Sequence, residues 1–218
     1  MAVLKVAILI SGRGSNMRAL IEACRQPDMP AEVVCVLSDR ADAAGLRYAA
    51  DAGIATAVVA RQDHADRDAF GAALHEELTA AGAEFVCLAG FMRLLGADFV
   101  NRWHDRLINI HPSLLPAFKG LHVHERVLAA GVRITGCTVH FLRVEMDVGP
   151  IIVQAAVPVA ADDTADSLAD RVLRQEHRIY PLALRLIATG RVRVAGERVL
   201  IAGQEPTDAS LLNPEPGI

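Results

Sequence analysis

The sequence predicts an α/β fold: a doubly wound, mostly parallel sheet in the N-terminal half that continues into a mixed sheet. Three observations carry this. Up to Pro112, short apolar runs alternate with segments of helical periodicity, the pattern of strands covered on both faces by crossover helices. Beyond Pro112, two apolar runs succeed each other across a short link, as in an antiparallel pair. With 52% hydrophobic, 22% charged and 4% aromatic residues, the chain has the apolar material for an Ala/Val/Leu-packed core and is not a disordered one.

The 218 residues suit one domain over residues 1–203, followed by a tail over 204–218 that has prolines but no periodicity and reads as flexible. The net charge of −4, without a basic block, excludes nucleic acid as a bulk electrostatic partner but leaves room for a local phosphate pocket. The four cysteines, Cys24, Cys35, Cys87 and Cys137, are far apart and read as small buried hydrophobes of a reducing compartment. Residues 1–10 lack a secretory signal's basic start, and no apolar run is long enough to span a membrane. The expected setting is cytoplasmic, away from membranes.

In chain order, the first strand is expected over residues 3–10, broken only by Lys5. Ser11-Gly12-Arg13-Gly14-Ser15-Asn16 follows, ahead of a helix over residues 17–24. Two glycines and small polar residues at a helix start form either a phosphate cradle or an ordinary turn capped by Ser15 or Asn16. A second strand over residues 32–38 ends at Asp39, where a dinucleotide-binding fold carries its ribose-binding acid. The glycine fingerprint fails at its third position, which is Met17, so Asp39-Arg40-Ala41-Asp42 reads as the turn opening a helix over residues 43–51, stopped by Gly53.

Residues 54–59 form the third strand. Phe70, Leu74 and Leu78 recur at helical spacing in residues 66–80, with Arg67 in a first turn that disfavours cations. Residues 85–89 are the fourth strand, and Gly90-Phe91-Met92-Arg93-Leu94-Leu95 is an unusually apolar exit from it: packed connector, or the wall of a pocket for a flat apolar ligand. A short helix over 96–104 carries Trp103.

Arg106-Leu107-Ile108 reads as the end of a buried strand, and Asn109-Ile110-His111-Pro112-Ser113-Leu114-Leu115-Pro116 as its exit, since the prolines forbid simple continuation. Open α/β sheets bind ligands at the carboxyl ends of their strands, which places an amide and an imidazole where chemistry occurs. A helix is expected over 123–130, then strands over 134–142 and 151–157 around the loop that contains Asp147. Thr164, with Asp162 and Asp163 ahead of it, is expected to cap a long helix to residue 188 that Pro181 kinks or restarts. Glu176 falls on the apolar arc of this helix, where a carboxylate needs a protein donor or a ligand hydroxyl. A hairpin over 192–195 and 199–202 completes the domain.

His122, His124 and His140 come without paired cysteines, a His-Glu-x-x-His motif or clustered carboxylates, so they read as structural and no metal is expected. Ser113, between Pro112 and Leu114, is not in a nucleophile elbow. The reactive set must work by acid, base and electrostatic means.

Ser11 to Asn16, Leu88-Ala89-Gly90-Phe91-Met92-Arg93, Asn109 to Pro116, Gly136 to Phe141, Asp147 and Gln175-Glu176-His177 together resemble the phosphoribosylglycinamide formyltransferases, folate-dependent enzymes of purine biosynthesis. The resemblance implies the formyltransferase fold and direct transfer of a formyl group from 10-formyltetrahydrofolate to the amino group of glycinamide ribonucleotide. It implies small-molecule substrates and no metal, in a monomer or a homodimer. Asn109 and His111 would stabilise the oxyanion, with Asp147 raising the histidine pKa and helping a water carry protons. It further implies substrate phosphate on Gly14, Ser15 and Asn16 and ribose on Glu176. The folate would contact Arg67, Met92, Arg93, Leu94, Leu95, Asn109, Arg143, Val144, Glu145, Met146 and Asp147, with Arg67 near the glutamate tail. Two departures bear on the folate loop: Val148 replaces a small residue, and Lys119 stands where many members have proline. The rivals are methionyl-tRNA formyltransferase and formyltetrahydrofolate deformylase, each expected to need a further domain, and a non-catalytic phosphosugar-binding module.

Overall fold

The computed structural model describes residues 2–205 and 208–214. A seven-stranded sheet in the order β3-β2-β1-β4-β5-β6-β7 forms the body. Its strands are β1 (Leu4–Ile10), β2 (Ala31–Ser38), β3 (Ala55–Val58), β4 (Phe85–Leu88), β5 (Leu107–His111), β6 (Ile134–Phe141) and β7 (Ile151–Pro158). β1 pairs parallel with β2 and β4, β2 with β3 and β4 with β5, whereas β6 pairs antiparallel with both β5 and β7. The mixed sheet expected from the sequence is the one observed. β4 is buried along its whole length and β1 from Val6 to Ile10, which is why these stretches read as apolar runs.

The helices are α1 (Ser15–Cys24), α2 (Ala44–Asp51), α3 (Arg67–Ala80), α4 (Ala97–Arg102), α5 (Val123–Ala129) and α6 (Ala165–Ala188). Alternation along the strands splits the core in two. Val6, Ile8, Ile10, Cys87, Ile108, Ile110, Cys137 and Val139 pack with α1, α5 and α6. Ala7, Leu9, Leu37, Val86, Leu88 and Leu107 pack on the other face with Phe70, Leu74 and Leu78 of α3 and Phe99 of α4. A hairpin of β8 (Val192–Ala195) and β9 (Arg198–Ile201) follows α6. Among the described residues no helix is long and apolar enough to cross a membrane.

Three local expectations are corrected. β5 does not end at Ile108 but runs to His111, because β6 supplies partners through Asn109↔His140 and His111↔Thr138, and Pro112 stops pairing only one residue later. Asn109 and His111 are therefore strand residues, held by the ladder. Pro181 does not restart α6, which continues as one helix of 24 residues. The fully buried Tyr180, Ala183 and Leu184 flank the proline, and their packing holds the helix through the missing N–H. At α1 neither Ser15 nor Asn16 caps: the cap is Gly14 in the left-handed region, φ 70°, without a side-chain bond. Thr164 does cap α6, in a reciprocal box with Ser167, while Asp163 accepts from Ser167 and Arg171.

Residues 206–207 and 215–218 of the tail lie outside the described residues. Asn213 donates to the carbonyls of Arg133 (2.6 Å) and Val159 (3.0 Å), a tie between the tail and the sheet.

Candidate active site

The sheet order reverses between β1 and β4, and in an open α/β sheet the crevice outside the strand ends at that point is the natural ligand site. Here it is built. The Ser11 amide donates to the Gly90 carbonyl at 3.1 Å, and the Ser11 hydroxyl accepts from the Met92 amide at 2.8 Å, so the loops after β1 and β4 are tied together. Gly14 packs against the end of the Met17 side chain, 3.0 Å from where a Cβ would stand. Met17 thus fills the space that the third glycine of a dinucleotide fingerprint keeps open.

Asn16 is turned inward. Its amide donates to Glu176 of α6 at 2.7 Å, the only hydrogen bond to that carboxylate among the described residues. Burial pushes the Glu176 pKa above its ordinary value, and the Asn16 bond opposes the shift. The Asn16 Oδ1 has no hydrogen-bond partner among the described residues. A glycine turn with an uncapped helix start thus lies next to a buried carboxylate.

On the opposite face of β5, Asn109 and His111 point the same way, with His140 and Thr138 across the ladder. The His111 ring is buried, 6% exposed, and acceptors face both its nitrogens. Nε2 lies 3.0 Å from the Phe118 carbonyl, which can only accept, so Nε2 carries a proton. Nδ1 faces Asp147 Oδ1 at 3.5 Å, within ion-pair reach but beyond a good hydrogen bond. Asp147 sits at φ 51°, its other oxygen accepting from the Gly120 amide at 2.8 Å. Gly149 is at φ 138°, and a Cβ there would collide with the Phe141 carbonyl. The loop after β6 therefore has one tight path, and that path brings the carboxylate to the imidazole.

Asn109, His111, Gly120, His140 and Asp147 line a cavity of about 890 Å³, within the usual size of small-molecule sites. Met92, Arg93, Leu94, Leu95, Asn109, His111, Arg143, Val144, Glu145, Met146, Asp147 and Val148 all lie on its wall. Met92, Leu94, Val144 and Met146 are exposed at the rim and give it an apolar patch. Arg67 is not on the wall: it lies exposed in the first turn of α3. Arg143 is on the wall, but its charge faces Asp105 (3.0 Å) and Glu197 (3.5 Å). Gly14, Ser15, Asn16 and Glu176 line no part of this cavity and form the separate pair of elements described above.

The sequence had set aside His122, His124 and His140 as structural, yet all three reach the cavity wall. Burial lowers the pKa of His124 and His140, and among the described residues His140 Nε2 has no hydrogen-bond partner. The signal for His140 was its cross-strand pairing with Asn109, invisible until the register is known. Among the described residues no group of three or more His, Cys, Asp or Glu could hold a metal ion.

The cavity at the switch point thus carries an amide, an imidazole and a carboxylate on one wall, groups able to stabilise a developing oxyanion and to move protons. The chain belongs to the formyl transferase family, whose model matches residues 4–184. It is 43% identical over 201 residues to phosphoribosylglycinamide formyltransferase of Escherichia coli (strain K12), covering 92% of this chain and 95% of that one. It is 50% identical over 190 residues to the trifunctional purine biosynthetic protein adenosine-3 of Bos taurus; the match takes in 87% of this chain but spans only 19% of that protein's length. The crystal structure of glycinamide ribonucleotide transformylase 1 from Symbiobacterium toebii superposes with a TM-score of 0.89 at 48% identity, over 91% of this chain and 94% of that one.

Proposed function

We propose that this chain is a phosphoribosylglycinamide formyltransferase, transferring a formyl group from 10-formyltetrahydrofolate to the amino group of glycinamide ribonucleotide in purine biosynthesis in the cytoplasm. The observation that carries the mechanism is the convergence of Asn109, His111 and Asp147 on one wall of the cavity. The amine attacks the formyl carbon, a new C–N bond forms and negative charge gathers on the formyl oxygen. Asn109 donates to that oxygen, and the Nδ1 proton of His111 is the second donor, the ring being held by Phe118 at Nε2. Collapse breaks the bond to N10 of the folate, and the proton lost by the amine reaches N10 through a water held by Asp147. Oxyanion and proton transfer are thus served without a covalent enzyme intermediate.

In this reading the pterin enters the apolar slot between residues 92–95 and 143–148. The ribonucleotide phosphate lies against the amides of Gly14, Ser15 and Asn16 at the uncapped start of α1, and Glu176 accepts from ribose hydroxyls. The third cavity face is the stretch 120–125. Folate product is followed by absorbance, with glycinamide ribonucleotide present or omitted. Product that requires the ribonucleotide is the expected result, whereas equal product without an acceptor means deformylation, and none in either case means an inert binder.

A further inference from the structure

Asp39 closes β2 at the position where a dinucleotide fold would present a ribose-binding acid, but its carboxylate is turned instead to the loop after β4. Oδ2 accepts from Nε of Arg93, 54 residues on. The Asp39 side chain is 1% exposed and Arg93 45%, and Asp39 Oδ1 has no hydrogen-bond partner among the described residues. A carboxylate buried this deeply, with one oxygen bare, costs stability, and such costs persist where they serve a site.

What it serves is visible at the other end of the arginine. Arg93 lines the cavity, and the bond to Asp39 is the only hydrogen bond of its guanidinium among the described residues, so both terminal nitrogens are open. Two arginines stand on the cavity wall, Arg93 and Arg143, and Arg143 already faces two carboxylates. Arg67 lies off the wall. A guanidinium held through Nε presents its two outer nitrogens as a fixed fork, the match for a planar carboxylate.

We propose that Asp39 is a positioning residue. It fixes Arg93 so that its fork is already directed at a carboxylate of the formyl donor as that arm leaves the apolar slot. Asp39 adds no attraction for an anion, since its own charge offsets that of Arg93; what it supplies is direction, by ordering a rotamer-rich side chain before the ligand arrives. The proposal rests on the folate reading above and deepens it.

The test compares wild type, Asp39→Ala, Asp39→Asn and Arg93→Lys on two donors: 10-formyltetrahydrofolate, and a counterpart whose glutamate is replaced by a neutral alkylamide. Asp39→Ala should raise the KM for the folate roughly tenfold, the worth of a charge-assisted hydrogen bond. The KM for glycinamide ribonucleotide should not follow, and the penalty should vanish on the alkylamide donor. Asp39→Asn still accepts from Nε and should recover most of the loss. Arg93→Lys keeps the charge without the fork and should reproduce the Ala defect, an independent arm should Asp39→Ala not fold. An unchanged folate KM in Asp39→Ala or Arg93→Lys overturns the proposal. So does an equal loss on both donors, which makes the pair merely structural, or an Asn variant as impaired as Ala. Those results leave the folate reading standing; absence of transfer by the wild type removes both.

Discussion

Replacing Asn16 with alanine isolates the contact that joins the glycine turn to α6. Glu176 is 7% exposed, and among the described residues its carboxylate keeps one hydrogen bond, from Asn16 at 2.7 Å. Deleting the donor leaves a buried charged acceptor unsatisfied, a loss of about 2–3 kcal/mol on the scale for hydrogen bonds to charged groups. The loss depends on pH, with a definite sign. Burial raises the Glu176 pKa, so between its unfolded and folded values the native state binds more protons, and stability falls as pH rises through that window. Asn16 limits this by favouring the ionised form; without it the folded value rises further and the decline extends to higher pH. Urea unfolding of wild type and Asn16→Ala, from mildly acidic to mildly alkaline buffer, should show a deficit that grows with pH. In a Glu176→Gln background, where there is no charge to satisfy, it should shrink and lose its pH dependence. A deficit equal at every pH and in both backgrounds would refute the reasoning.

Three further outcomes are expected. Gly149→Ala places a Cβ against the Phe141 carbonyl at φ 138°, so the loop must shift and carry Asp147 away from His111; steady-state kinetics should show kcat falling more than ribonucleotide affinity. Thr164→Ala removes the cap of α6 and should cost about 1 kcal/mol in denaturant unfolding, with turnover like wild type because the cap touches no part of the cavity. Burial pushes the thiols of Cys24 and Cys35 up to about 11 and that of Cys137 up to about 12, so a thiol-titrating reagent at neutral pH should react slowly with the native protein and fully after unfolding.

Strands β1 and β4 were legible because burial on both faces leaves an apolar run, interrupted in β1 only by Lys5, and α6 because Leu168, Val172 and Ile179 keep helical spacing. The extension of β5 was not, since the prolines signalled a stop while the partner that prolongs the strand lies some thirty residues on and is found only by folding. The same limit hid Asp39–Arg93, which joins the exits of β2 and β4 across the end of β1, and the approach of Asp147 to His111, which joins the loop after β6 to β5. Glu176 was legible as an anomaly, a carboxylate on an apolar arc, but its partner Asn16 was not. Arg67 was read from an unfavourable charge at a helix start, a local signal that carries no information about distance from the cavity. The place of His140 on the cavity wall was not legible, because a residue on a strand reveals its face only when the neighbouring strand is known.

The measurement that bears most directly on the proposed chemistry is single-turnover formyl transfer by His111→Ala and Asp147→Ala beside wild type, with ribonucleotide affinity measured separately on the same samples. A positioned acid or base contributes roughly 10²–10⁴-fold, so both variants should lose rate on that scale while still binding glycinamide ribonucleotide. Wild-type rates in both would contradict the account.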